Sequence, residues 1–458
     1  MRFPFLLLAL AVVLVVSGPA LSSDDGLRVG VFSVDATPPV GSPLAYDTME
    51  GVNSPLSCRG LVLAGAGKPV VLCAIDWIGI GSAGQTVFKE AIAVAVGTEP
   101  DRVSVHTLHQ HDAPRCDFSG EELIAAAGIS GGGFNPEHAR SVAAAAVSAA
   151  TEGLAKARSV THLGTGQAVV DRVASNRRPL GPDGKVIAVR PTATRDPKIR
   201  DLPIGTVDPV LRLVSFHNGD EVLAVLTWFA THPQSYYRTK QATVDFPGMA
   251  RAARETETGI PHLHFNGAGG NVGAGKWNDG APENRQVLAD RVTAAMREAW
   301  EKVEKRPLSA GEVDWQVERV ALPVAAHLDE AKLEEFIANR VEPPMDRFRA
   351  ATRLTWLRRC REGDTIPVGC LRLGDVRVLH LPGELFVEYQ LAAQALRPDL
   401  FVAMAAYGDY APGYIGTDIA YGQGGYETSD RASNVAPGVE KVLMGAIAKL
   451  LDTELPQQ

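Results

Sequence analysis

Three features of the sequence predict an α/β fold with mixed strand directions. Strand-like apolar runs interleave with segments of helical spacing along the whole chain, the order that builds layered sheets and helices. Of 458 residues, 45 are Gly and 30 are Pro, so turns and loops are many and a helical bundle is excluded. Hydrophobic residues make up 45% and charged residues 21%, which excludes a disordered or fibrous chain. With no internal repeat and no low-complexity linker, one large mixed-sheet domain is expected over residues 23–458.

The elements follow in order. Leu27 to Val34 alternates like a strand. Leu61 to Ala64 and Val70 to Ile75, with Gly65 to Lys68 between them, read as a β-hairpin. Ala83 to Val96 has helical spacing, with Val87, Ala91, Val94 and Ala95 on one face. Arg102 to Thr107 is a strand. Pro136 to Ala155 is an Ala-rich helix with Pro in its first turn. Val222 to Phe229 and His262 to Phe265 are buried strands, and Glu283 to Glu304 is an amphipathic helix carrying Leu288, Val292, Met296, Ala299 and Val303. Val376 to Leu381 is a strand, Glu384 to Leu396 a helix and Pro437 to Leu451 a closing helix. Residues 165–210 and 306–375 read as excursions or a small subdomain.

The charge balance of 45 Lys+Arg against 53 Asp+Glu gives −8 and argues against nucleic acid as partner, which needs a basic face. Arg2, the apolar run Phe3 to Val16 and the small residues Ser17 to Ser22 have the pattern of a cleaved signal peptide over residues 1–22. The run has about 14 residues, whereas a spanning helix needs ~20. A secreted or periplasmic protein with at most peripheral membrane contact is expected. Cys58, Cys73, Cys116, Cys360 and Cys370 are odd in number, so at least one is unpaired. Cys360 and Cys370 could bridge a short loop or stay as thiols.

Two motif matches lack their context. Gly270 to Lys276 nearly spells a phosphate loop, but Trp277 stands where a hydroxyl must bind magnesium and no helix starts there. Gly128-Ile129-Ser130-Gly131-Gly132 fits GxSxG, but a helix-like segment precedes it where a nucleophile elbow needs a strand.

The histidines carry more. His106, His109 and His111 crowd one strand end in a chain with only 11 histidines. Catalytic zinc takes neutral imidazoles and a carboxylate and keeps one position open. His109 and His111 would project to the same side of an extended backbone. His232, at the end of another buried strand, is a second contributor, and His262 and His264 form a further HxH pair. Spacing alone does not choose among them.

These residues resemble motifs of the neutral, non-lysosomal ceramidases. His109-Gln110-His111-Asp112-Ala113-Pro114 resembles the family's His-Thr-His-Ser-Gly-Pro, and Trp228 to His232 its second histidine motif. Pro382-Gly383-Glu384-Leu385-Phe386 resembles its Gly-Glu-Phe motif. Tyr414-Ile415-Gly416-Thr417, followed by Tyr421 and Gly425-Tyr426-Glu427, resembles its Tyr-Val-Thr-Thr run and downstream Tyr-Glu-Gly. Ser175-Asn176-Arg177-Arg178 sits where the family has an Asn-Arg motif. The motifs keep their order over about Leu27 to Leu451.

The resemblance implies a catalytic domain of the neutral ceramidase N-terminal type. It implies Zn²⁺ held by His109, His232, Glu384 and Tyr414, with His111, Arg177 or Arg178, and Tyr426 lining the substrate. The implied activity is hydrolysis of an N-acyl amide, small or lipid-like, by a zinc-activated water. Two departures stand out. Gly273 and Asn271 occupy the positions of the family's serine and aspartate, which excludes a serine-dependent step there. The chain also ends at Gln458, without the family's C-terminal β-sandwich domain. Both turn the expectation from bilayer-held ceramide toward a more soluble amide. A non-catalytic relative that keeps the pocket for binding is the alternative.

Overall fold

The computed structural model describes residues 26–129 and 132–456. The segment read as a signal peptide and Ser130 of the GxSxG match lie outside them. The chain is a mixed α/β fold with three main sheets. The first runs Val103–Thr107, Val70–Ile75, Ser57–Ala64, Arg28–Asp35, Arg158–Ser159 in spatial order. The second runs His262–Asn266, Glu221–Phe229, Val210–Asn218, His162–Val169, Glu304–Pro307. The third runs Val313–Val320, Ile366–Leu373, Val376–His380, Phe401–Ala405.

Each sheet is an antiparallel meander that ends in one parallel pair. Val70–Ile75 pairs in parallel with Val103–Thr107, Glu221–Phe229 with His262–Asn266, and Val376–His380 with Phe401–Ala405. In every case one crossover helix joins the two strands: Ala83–Val96, Asp245–Thr258 and Val387–Leu396. Parallel pairing demands such a crossover. It also buries both faces, which is why Val70–Ile75 is buried at all six residues. The three parallel edges are tied together just beyond their strands. The Asn266 side chain donates to the Leu108 carbonyl at 2.5 Å, the Ala406 amide to Asn266 O at 3.0 Å, and the Thr107 amide to Tyr407 O at 3.0 Å. Three sets of strand C-termini therefore converge, the place where α/β sheets present their loops to ligands.

Packing of the helices follows their sequences. Asn135 caps Pro136–Ala155 by accepting from the His138 amide at 3.0 Å, and its small buried face lets it lie close on Arg28–Asp35. At Gly30 a Cβ would stand 2.0 Å from the Gly153 carbonyl oxygen, so this helix–strand contact needs glycine on both sides. Phe88 and Ile92 of Ala83–Val96 are fully buried, each stabilising the fold by roughly 1.5–3 kcal/mol. None of the helices among the described residues is long and apolar enough to cross a membrane.

Four expectations are corrected. Ala83–Val96 buries Gly84, Gln85, Phe88, Ile92, Ala93 and Val96, while Val94 is 83% exposed. Its Ala and Val residues lie on both sides, so spacing alone chose the wrong face. Asn284–Glu301 ends before Glu304, which starts an edge strand. Glu384 lies in a two-residue strand, and the helix begins at Val387. Residues 306–375 supply two of the third sheet's four strands and are woven into the fold. All five cysteines are free thiols.

Candidate metal centre

The site is assembled from the loops that follow the parallel strands. His109 comes two residues after Val103–Thr107, with its amide bonded to Trp77 O at 2.9 Å and a φ of 62°. That left-handed conformation costs a non-glycine residue ~1–2 kcal/mol and breaks the extended geometry expected for His109 and His111. Flanking bonds hold it. The Gln110 side chain donates to Asp76 at 3.1 Å, and Asp76 is gripped by both terminal nitrogens of Arg251 at 2.8 Å. Asp112 accepts from the Arg238 amide at 2.8 Å and the Thr239 hydroxyl at 2.7 Å. His232 follows Glu221–Phe229, with its amide on Val272 O. Glu384 and Tyr414 face each other in register across the short parallel pair Glu384–Leu385 and Tyr414–Ile415. Gly383 and Gly413 precede them with φ of 62° and 64°. A Cβ on Gly383 would stand 2.6 Å from the Gly413 carbonyl oxygen, so that approach requires glycine.

The side chains converge. His109, His232, Glu384 and Tyr414 are 1%, 1%, 3% and 6% exposed. Nδ1 of His109 lies 2.6 Å from the Ile78 carbonyl, and Nδ1 of His232 lies 2.8 Å from the Gly269 carbonyl. A carbonyl only accepts, so both Nδ1 atoms carry hydrogen and both Nε2 lone pairs face the centre. Such outer bonds are the usual means of orienting metal-binding histidines. Each Nε2 stands 3.2 Å from Oε2 of Glu384. Oε1 of that carboxylate accepts from Tyr410 at 2.8 Å, while Oε2 is buried without a hydrogen-bond partner. Burial, with the Arg177 charge beside it, lowers the His232 pKa to about 4, so this ring is neutral at pH 7.

Two imidazole lone pairs and a carboxylate oxygen thus point at one another, and they call for a positive charge between them. Burial opposes the Glu384 charge, yet the two histidines beside it hold that carboxyl well below its usual pKa. A metal ion would supply the positive charge, for the donor set is that of zinc. Tyr414 completes it, with its hydroxyl 3.2 Å from His232 Nε2. Burial pushes that phenol well above its usual pKa, so it becomes a ligand anion only next to a cation. His111 also belongs to the three-histidine group whose ring nitrogens lie within 4.8 Å of one another. Its Nδ1 is 3.1 Å from the Tyr46 hydroxyl and its Nε2 3.2 Å from His109 Nε2, so no carbonyl fixes its tautomer as one does for the other two rings.

Of the two arginines open in the sequence, Arg177 faces the centre. Its Nη1 lies 3.0 Å from the Tyr414 hydroxyl and 3.1 Å from His232 Nε2. An imidazole nitrogen has one lone pair, so that last contact and a metal bond exclude each other. Arg178 turns away to the Ala420 carbonyl at 2.9 Å. Both arginines approach Glu427, at 3.3 and 3.5 Å. Tyr426, 37% exposed, meets the Tyr414 ring edge-on at 5.8 Å and lines a cleft of about 970 Å³ that opens onto Glu384.

His262 and His264 do not join the site. They bond Thr258 at 3.2 Å and Thr227 at 2.9 Å within their own layer. His106 also turns elsewhere, to Ser104 and His380. Glu427, quoted in the Tyr426 motif but given no role there, touches the site, as do Tyr46, Tyr407 and Tyr410, which were not singled out from the sequence. Tyr407 stacks on His109 at 4.7 Å. Nothing local in the sequence marks these residues, since their roles come from segments folded against the histidine loop. Gly273 lies beside Arg177 and His232, and a Cβ there would meet only ordinary contacts at 3.6–3.8 Å. Asn271 is structural, donating to Glu388 at 2.8 Å and accepting from the Val387 amide at 2.9 Å.

No family model and no curated protein matches the sequence. Solved structures do. The chain is similar to the neutral ceramidase from Pseudomonas aeruginosa, with a TM-score of 0.65 and 16% identity over 95% of this chain and 76% of that one. A second structure, a ceramidase complexed with C2, matches with the same TM-score and identity over 95% and 78% of the two chains. With its three sheets in place and its strand-end loops meeting at one centre, this chain has the fold of the neutral ceramidases.

Proposed function

We propose that the chain is an exported, zinc-dependent amidohydrolase that cleaves N-acyl amides. The observation that carries this reading is the convergence of the His109 and His232 lone pairs on the Glu384 carboxylate, which lines a large cleft. The ceramidase fold supports the reaction class, and the apolar leader with its small-residue end supports export. His109, His232, Glu384 and Tyr414 would hold the ion. Bound zinc would supply Lewis acidity, polarising a carbonyl and lowering the pKa of water toward ~7.

The remaining residues bind and move protons. Tyr410 fixes one carboxylate oxygen of Glu384 and leaves the other to the centre. His111 is buried and neutral at pH 7, because burial and the neighbouring rings hold its pKa well below the usual value. It is placed to take a proton from the attacking water and return it to the departing nitrogen. Tyr46, on its far ring nitrogen, holds the imidazole in place. Arg177, whose charge persists at every working pH, and Tyr426 at the cleft face orient the substrate's polar group.

Zinc content of the purified chain and fatty-acid release from N-dodecanoyl amides, with and without a chelator, test the reading. About one zinc per chain and chelator-sensitive release are expected. Chelator-resistant turnover overturns it. Zinc without turnover of any amide, with Gly273 in the serine position, assigns the pocket to binding alone.

A further inference from the structure

The cleft that opens onto Glu384 carries a charge pattern that a neutral substrate does not require. The chain as a whole is acidic, at −8, yet Arg115, Arg349, Arg353 and Arg431 line this one cavity together with Lys332. Arg349 has a carboxylate partner, Asp346 at 2.8 Å. Arg115 donates to the Ala45 carbonyl at 2.9 Å, and its Nε is buried without a partner. Arg353 donates to the Arg431 carbonyl. Among the described residues, neither Arg115 nor Arg353 forms an ion pair with a carboxylate. Burial and the nearby Arg349 charge both push the guanidinium pKa values of Arg115 and Arg353 down, so these like charges crowd one another. Charges crowded in a cleft mark a candidate site, and their sign here suits an anion.

The other carboxylates of the cleft do not cancel it. Asp117 and Asp329 cap helices, accepting from the Gly120 and Lys332 amides, and Glu384 belongs to the metal centre. Arg115 acts electrostatically on Tyr410, which holds Glu384, and Arg353 acts on Tyr426. Further out, Leu333, Phe336 and Met345 add an apolar strip on and beside the helices Glu330–Ala338 and Pro344–Arg361. A ligand that fits has an apolar chain, a scissile amide at the floor, and an anion beside the amide.

Resting on the amidohydrolase reading, we propose that the substrate is an N-acyl amino acid, its acyl chain along Leu333, Phe336 and Met345 and its carboxylate received by Arg115, Arg349 and Arg353. In the reaction the oxygen of water bonds to the acyl carbon and the C–N bond breaks. One water proton goes to the nitrogen, so the products are a fatty acid and the free amino acid. No oxidant, reductant or second substrate is consumed. Bidentate guanidinium pairing suits a carboxylate, and a neutral headgroup would leave these arginines without an anion.

The test uses analogues that resist hydrolysis, so that it stands apart from turnover. Dodecylsulfonyl-glycine, its neutral glycinamide and a sulfonate-bearing counterpart are titrated into the full chain by calorimetry. The carboxylate is expected to bind at least tenfold more tightly than the neutral amide. In R115Q and R353Q, that ratio should fall below threefold, with circular dichroism confirming the fold, and R353K should recover part of it. Equal binding of carboxylate and amide, or a ratio unmoved in both Gln variants, overturns the proposal. Tighter binding of the sulfonate than of the carboxylate overturns the amino-acid assignment. A carboxylate preference without hydrolysis of any N-acyl amino acid overturns the amidohydrolase reading and leaves the anion site standing.

Discussion

Two histidine clusters lie within three residues of each other and end differently. His106 sends Nδ1 to the Ala406 carbonyl at 2.7 Å and Nε2 to Ser104 at 2.8 Å, and Ser104 meets His380 Nδ1 at 2.8 Å. That chain uses every ring nitrogen but Nε2 of His380 and borders a cavity of about 30 Å³, room for little more than one water. His109 and His232 also bond backbone carbonyls through Nδ1, but their Nε2 atoms meet an oxygen of Glu384, which lines a cleft of about 970 Å³. Residue type, burial and strand-end position are shared. What separates a structural cluster from a metal site is where the lone pairs go.

Exchanging one residue from each cluster gives the sharpest contrast. His232→Ala should empty the site and lower turnover by more than about 100-fold, the loss seen even for residues one layer behind a metal ligand. His106→Gln should leave zinc content intact and cost about 1–3 kcal/mol of stability through unmet hydrogen bonds. Metal analysis and urea unfolding read the two, and equal zinc loss in both would erase the distinction. Next in size is Asp76→Asn. Burial alone would raise the Asp76 pKa, but Arg251 outweighs it and holds the carboxyl below its usual value. The ion pair therefore contributes fully at neutral pH, and its contribution is lost as pH falls below ~4, the unfolded value, and through the lower folded one. Breaking it should cost about 3–5 kcal/mol and loosen the His109 loop through Gln110, which unfolding curves at pH 7 and pH 3 would register as a gap that narrows in acid. The smallest effect is expected for Gly273→Ser. A Cβ there meets no atom closer than ordinary contact, so stability should change by no more than ~0.5 kcal/mol. A larger loss would show that this part of the centre is more tightly closed than its neighbours imply.

Much of this was legible in the sequence, for identifiable reasons. Val70 to Ile75 reads as a buried strand because a parallel pair hides both faces, and the histidines stand out because so few occur elsewhere. His106 could not be told from His109, since the distinction depends on Ser104 and His380 folding beside one ring and Glu384 beside the other. The fate of Glu384 was misread for a related reason. Glu384 to Leu396 has helical composition, but backbone pairing with Tyr414 and Ile415 from a distant segment holds the first two residues extended. The threefold recurrence of strand, crossover helix and strand left no repeat in the residues, because each copy shares only backbone geometry. Arg115 and Arg353 belong to segments more than two hundred positions apart, and no local pattern announces that they share a cavity.

The left-handed backbone at His109 sets the fold and the site against each other at one position. Glycine adopts φ of 62° freely, whereas histidine does so at a cost of ~1–2 kcal/mol. A lineage drifting under selection for stability alone would find His109→Gly an easy step and would lose the centre in taking it. At this position the cheapest gain in backbone stability and the integrity of the centre point in opposite directions.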